Sequence, residues 1–511
     1  MSSQGWALLQ TPFWESLRPL LRMDDDSYYF GKAFVEPEDY KLIQETGYLN
    51  PSGFGTSPGR LLMLFSIFPL CIFARATLVH NPRALWADVL LVSGPLTAAL
   101  ATPALFEVIL VGLILLCGIG IFAGDLRKPS LPFAPMSPKR PSVIRFLAEY
   151  RSLMMFCTCL IIFAVDYQVF PWAFSKTDTF GYSLMDLGVG CVIFSSAVVS
   201  RHSSAPFKPR RVQRDSLIKR ILMLPLQPLI ALYHAWPVVL LGVLRFLSTT
   251  TMGYYVPTSE YGVHWNFFLT IAAVQIFASI IPQRLPTNLL LALALLITGL
   301  HQYLLTSPLS NLEEFVFYAE RLDFISANKE GIFGVPGFIA IHLFGVVSGR
   351  LLFALNYSKN KVGDIFLMVA YGVLFFGTYY GYTFMTDQMG LLPSRRLVNM
   401  PFVLATTFGN LYVMGVVAFI DCLIPANREI PLFMQGYQNS MLVMFLVGNA
   451  VTGVTNYLQQ ALLWSLMMGT VGGDTVLKAK INSACRWSMD VPVMFMNTWP
   501  SEASRVPDLG T

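Results

Sequence analysis

Charge is what this chain has least of. Asp, Glu, Lys and Arg make up 13% of its 511 residues, about half the share carried by a soluble domain. That scarcity excludes an ordinary water-soluble globule. The familiar catalytic signatures are missing as well: there is no P-loop, dinucleotide fingerprint, HExxH, GxSxG or CaaX tail. Neither nucleotide hydrolysis nor metal hydrolysis is supported, and no metal, bound cofactor or nucleic-acid partner is expected. The seven cysteines lie mostly within apolar runs, and Cys157-Thr158-Cys159 is neither a CxxC motif nor a zinc spacing. They read as packing residues. Residues 1–59 are polar and aromatic without the apolar core of a cleavable signal peptide, so targeting is expected to fall to the first helix.

Apolar sequence is what remains. Hydrophobic residues make up 54% of the chain and mean hydropathy is +0.56. Repeated apolar stretches near 20 residues long predict an all-α, polytopic helical membrane protein, with about 12–13 transmembrane helices in one bundle. The spans fall at roughly 60–79, 86–103, 105–123, 149–165, 180–200, 228–249, 263–281, 286–305, 334–355, 364–385, 400–424 and 440–468. Three regions follow: an N-terminal extension (1–59), the bundle (60–468) and a divergent C-terminal tail (469–511). Residues 214–227 read as a basic interfacial segment.

The basic residues orient the bundle. One set of loops holds Arg127, Lys128, Lys139, Arg140, Arg145, Arg201, Lys208, Arg210, Arg211, Arg214, Lys219, Arg220, Arg284, Lys359, Lys361 and Arg428. The alternate set holds only Lys176, Arg321, Lys329, Arg395 and Arg396. The N-terminus and the alternate loops are therefore expected to face away from the cytosol.

That sparse face carries the unusual chemistry. Asp166, Lys176, Asp178 and Asp186 stand at or inside a membrane boundary. Asp166 and Lys176 read either as an interfacial ion pair or as part of a site. Asp186 lies about two turns inside the predicted fifth span, roughly 9 Å deep at 1.5 Å per residue, where an unpaired carboxylate is costly. Gly188 and Gly190 would admit a close helix or a substrate. In "SEYGVHWNFF" (Ser259–Phe268), Tyr261, His264 and Phe268 share a face at helical spacing, and Glu260 stands one turn before His264. His264 reads as an interfacial hydrogen-bonded residue or as an imidazole base oriented by Glu260. Trp265 and Asn266 follow it. Asn328 and Glu330, Arg396 and Asn399, and Asn449 and Asn456 stand at helix entrances or within spans. The amides suit helix association or substrate contact equally. On the residues alone, an enzyme and an ion-coupled secondary transporter with a polar site on the non-cytosolic side both stay open.

Five ordered motifs narrow the choice. "YRSLMMFCTCLIIFAVDYQVFPWAFSKTDTFGYSLMDLGVG", "SEYGVHWNFFLTIA", "NKEGIFGVPGFIAIHL", "RRLVNMPFVLATTFGN" and "FLVGNAVTGVTNYL" together resemble the GPI-anchor inositol acyltransferases of fungi and animals. The resemblance spans roughly Arg60 to Gln460. It implies a membrane-bound O-acyltransferase of the endoplasmic reticulum, about thirteen spans, and a luminal N-terminus and active site. The implied reaction moves a palmitoyl-type acyl group from acyl-CoA, a co-substrate, to the inositol ring of glucosaminyl-phosphatidylinositol among membrane lipids. The family's essential acid and lysine fall on Asp166 and Lys176, with His264 the second choice as base. Asp186, Tyr261, Trp265, Asn266, Asn328, Glu330, Arg396, Asn399, Asn449 and Asn456 are the expected substrate-binding residues. The chain departs from the family at Trp172-Ala173, where basic residues are usual.

Overall fold

The computed structural model describes residues 55–102, 105–123, 145–165, 170–171, 174–177, 179–207, 227–251, 258–354, 361–424 and 430–470. Asp166, Asp178, nearly all of the N-terminal extension and the 214–227 segment, and the tail after residue 470 lie outside the described residues.

Within them the chain is helical, and no strand occurs among the described residues. The long helices are α1 (Pro58–Leu78), α2 (Leu85–Ala101), α3 (Phe106–Ala123), α4 (Arg145–Ala164), α5 (Leu184–Val198), α6 (Gln227–Thr251), α7 (Phe267–Ile280), α8 (Thr287–Thr306), α9 (Lys329–Ala354), α10 (Lys361–Thr383), α11 (Met400–Leu423) and α12 (Met441–Thr470). Each falls on a predicted span. Among the described residues seven helices are long and apolar enough to cross a membrane, and the other five carry apolar stretches of 10–17 residues. Backbone groups in lipid must be paired within the chain, and a helical bundle achieves that.

Side-chain caps set several helix starts. Ser57 accepts from the Arg60 amide at the head of α1. Ser183 and Asp186 form a reciprocal capping box on α5. Asn266 caps α7, and Asn399, followed by Pro401, caps α11.

Two helices form the centre. In α9 and α11, 78% of the apolar window is buried, against 17% for α10 on the periphery. Helix α9 packs along α5, α8 and α7, while α11 packs on α10, α1, α4 and α9. Small residues permit the tightest of these contacts. A Cβ on Gly345 would stand 2.7 Å from the Phe194 carbonyl oxygen, and one on Gly349 would stand 2.3 Å from that of Val198. Gly190 of α5 meets Thr406 of α11 in the same way, whereas Gly188 opens onto free space.

Buried arginines tie the end of the bundle where α1 finishes and α4 begins. Arg75 meets Asp88 at 2.6 Å, and Arg145 pairs with Asp421. Arg350 donates to the carbonyls of His202, Leu285 and Gln283.

Candidate active site

At the other end, four loops meet: those before α5, before α7, before α9 and before α11. Asp186 stands in the first turn of α5, not two turns down, because the Ser183 cap starts the helix at Leu184. Its carboxylate is fully buried and meets Arg395 Nε at 2.8 Å. It also accepts from Thr177 Oγ1 at 2.9 Å and from the Ser183 amide at 2.9 Å. A carboxylate so enclosed requires this many partners. Asp186 is a tie between loops more than the lining of a pocket.

Arg395 reaches on to the Glu260 carbonyl, and Glu260 in turn holds Lys176, with Nζ to Oε1 at 2.6 Å. Lys176 remains 35% exposed, while Glu260 is 13% exposed. Lys176 thus presents a fixed, accessible cation. Burial works against the charge of Glu260, yet Lys176 and Arg395 more than offset it and hold the carboxyl below the usual glutamate range. Burial pushes the Tyr261 phenol up, and the Glu260 charge adds to that.

Glu260 and His264 do not share a helical face. Gly262 has φ +111° and lies where a Cβ would stand 2.5 Å from Asn328 Cα, so the chain turns there. Helix α7 starts only at Phe267. Glu260 points to Lys176, and His264 points to Asn328. Asn328 Oδ1 accepts from the amides of His264 and Trp265 at 2.7 and 2.9 Å. Its Nδ2 lies 3.3 Å from His264 Nδ1 and donates to the Phe324 carbonyl. The exposed imidazole stands beside Phe246 and stacks on Phe324. Trp265 donates from its indole to Thr270 and covers Gly331, whose Cβ would lie 2.3 Å from the ring.

A second charge cluster braces the entrance to α9. Glu330, fully buried, meets Arg321 at 2.5 Å and Arg396 at 3.1 Å. Arg396 stands over the Phe317 ring. Lys329 donates to the Ala319 carbonyl and lies over Phe315. Asn399 joins this end as a cap, accepting also from Ser394 and donating to Leu392, and Asn266 donates to the Gly242 carbonyl. Asn449 instead donates to Phe445 one turn back on α12, and Asn456 lies half-buried on the same helix. That helix packs on α4. The structure therefore assembles Lys176, Asp186, Tyr261, His264, Trp265, Asn266, Asn328, Glu330, Arg396 and Asn399, and leaves Asn449 on another wall.

Arg395 and Arg321 are members that the sequence reading did not single out as site residues. Their signal is scarcity: the loops before α5, α7, α9 and α11, with the first residue of α9, hold five Lys or Arg, and each bonds within these loops.

Below the network runs an apolar groove between α1, α4, α5 and α11. Phe65, Leu153, Ile161, Leu184, Leu187 and Gly188 are among its lining residues, and Tyr150, Thr158, Cys191 and Asn410 bring polar atoms to it. Tyr150 donates to Asn410 at 2.5 Å. One turn of α5 serves both features: Asp186 enters the network while Leu184 and Leu187 line the groove.

Fold and site together define a polytopic helical membrane protein with a polar cluster above an apolar groove. Sequence comparison supplies the family. The GWT1 family model matches residues 50–471, and the chain belongs to that family. It is 32% identical over 337 residues to the GPI-anchored wall transfer protein 1 of Yarrowia lipolytica, covering 61% of this chain and 65% of that one. With the protein of the same name from Schizosaccharomyces pombe it is 30% identical, over 60% of this chain and 64% of the relative. It is likewise 30% identical to the phosphatidylinositol-glycan biosynthesis class W protein of Dictyostelium discoideum, over 61% and 69%. The chain thus spans about two thirds of the length of these curated relatives.

Proposed function

We propose that this protein is an acyltransferase of GPI-anchor biosynthesis in the endoplasmic reticulum membrane. It moves a palmitoyl-type acyl group from acyl-CoA to the inositol ring of glucosaminyl-phosphatidylinositol. The observation that carries the reading is the shared turn of α5, which joins a charged network to an apolar groove. An acyl chain needs the groove, and a sugar-phosphate head needs the network. Membership of the family, with relatives named for GPI-anchored wall transfer and phosphatidylinositol-glycan biosynthesis, supports it. The sparse Lys/Arg count at this end supports a luminal site.

The chemistry needs a base, an oxyanion partner and positioning. Asp166 takes the proton from an inositol hydroxyl as its oxygen attacks the thioester carbonyl. The tetrahedral centre then collapses, the ester forms, and the carbon–sulfur bond breaks to release CoA, whose sulfur takes up a proton. Lys176, fixed by Glu260, is the cation for the developing oxyanion. Glu260 is a poor base because its neighbours keep it ionised. His264 is the other candidate base, its ring held between aromatic neighbours. The test is acylation of glucosaminyl-phosphatidylinositol by the purified protein with palmitoyl-CoA. Absence of transfer by well-folded protein would sink the proposal.

A further inference from the structure

The apolar groove begins beside the charged loops and ends blind inside the bundle. On α4 its lining residues run from Ile161 down to Tyr150, and on α5 from Leu184 down to Cys191. Phe68 of α1 and Val413 of α11 stand at the same deep end. One helical turn further along each helix, Phe146, Phe194, Ile72 and Val417 are buried in the core. That packed layer closes the groove. Just above it lies a polar bridge across α4, α11 and α5. Tyr150, itself buried, donates to Asn410 Oδ1 at 2.5 Å. Asn410 Nδ2 donates to the Thr406 carbonyl at 2.7 Å and to Cys191 Sγ at 3.3 Å. Bonds of this kind within a membrane bundle hold both the tyrosine ring and the amide in place.

The depth of the groove can be set against the length of a lipid chain. From Ile161 to Tyr150, eleven residues of α4 rise about 16 Å. An extended saturated chain advances about 1.3 Å per carbon, so about 13 carbons fill that length. The last few carbons of a palmitoyl chain then bring its carbonyl up to the charged loops. We propose that the Tyr150–Asn410–Cys191 bridge is a stop for the acyl chain and makes the groove select donors of about sixteen carbons. This rests on the acyl-transfer reading and deepens it. The three residues meet the methyl end of the chain, touch no reacting atom, and act on length alone.

The test measures transfer to glucosaminyl-phosphatidylinositol by the full-length protein in detergent micelles, with saturated donors from lauroyl-CoA to arachidoyl-CoA. Each methylene seated in the groove is worth about threefold to fourfold in kcat/KM, so myristoyl-CoA should fall about tenfold below palmitoyl-CoA. Stearoyl-CoA overruns the stop and should fall about tenfold as well. Tyr150→Leu removes the ring and should move the maximum to stearoyl-CoA or longer. Val413→Phe fills the same end without removing a hydrogen bond and should move it to myristoyl-CoA or shorter. Each donor is compared between variants, so unequal partition into micelles cancels. A maximum unmoved in either well-folded variant overturns the proposal, as does a wild-type profile flat from myristoyl-CoA to arachidoyl-CoA. Equal loss for every donor overturns it too and leaves the bridge a tie between helices. Should Tyr150→Leu fail to fold, Val413→Phe decides alone. Wild-type protein inactive with every donor sinks the acyltransferase reading itself. An active wild type whose preference does not move in the variants sinks only this inference.

Discussion

Lys176 and Glu260 are 84 residues apart in sequence and 2.6 Å apart in space. The bond fastens the loop before α5 to the loop before α7 and holds the accessible ammonium in place. Lys176→Met keeps the apolar stem and removes the charge, and should lower acyl transfer about 100-fold or more. Glu260→Gln should lower it less, because the cation survives but wanders. The double variant should be little worse than Lys176→Met, since the two act as one unit.

The same bond has a pH signature. The folded-state pKa of Glu260 lies below its ordinary value, so its stabilising contribution is complete above the unfolded value, about 4.3. It is lost as pH falls through the depressed folded value. Melting curves of wild type and Glu260→Gln should therefore differ at neutral pH and converge only in strong acid. Convergence already near pH 6 would contradict this.

Asp166→Asn preserves shape and removes the proposed base. Turnover should fall about 100-fold or more at unchanged abundance. Near-normal turnover in a well-folded variant would move the base to His264.

Asp186→Asn leaves Arg395 buried against a neutral partner. Breaking a buried pair in this way costs about 3–5 kcal/mol, read as a lowered Tm. Adding Arg395→Met should recover part of the loss, because no uncompensated charge then remains. A double variant less stable than Asp186→Asn would argue against the pairing.

Two glycines should separate groove from fold. Nothing lies within 4 Å of a Cβ on Gly188, so Gly188→Leu should fold normally yet raise KM for the long-chain donor by filling groove space. Gly331→Val drives a side chain into the Trp265 ring and should cost about 1–3 kcal/mol as overpacking. Equal loss of stability in both would show that the groove is not open.

The helices were legible because lipid demands apolar runs near 20 residues long, and each predicted span holds one. Their ends were less so. The fifth span begins at Leu184 instead of 180 because Ser183 and Asp186 cap each other, and that capping moved Asp186 from two turns deep to the first turn. Asn266, Asn328 and Asn399 stood out as polar residues at helix entrances, and they do gather at one end. What they do there is cap helices and fasten turns. Partners were illegible for a physical reason. Glu260 and His264 are a helical turn apart in number, but one left-handed glycine sends them to different loops. In sequence Arg395 reads only as a topology charge beside Arg396, although cations are too few in those loops for any to be idle.

Gly345 and Gly349 carry a mechanical consequence. They set α9 against the backbone carbonyls of Phe194 and Val198 on α5, and α5 itself runs from the charged end, at Asp186, down to Val198 at the other. A carrier works by rocking one half of itself against the other around a fixed cargo site. Here the two helices nearest the centre of the charge network are interlocked along their length, so a tilt of one drags the other. Such a pair is a strut and a poor rocker. On the proposed acyl-transfer reading, lipid and donor would come to a stationary workbench.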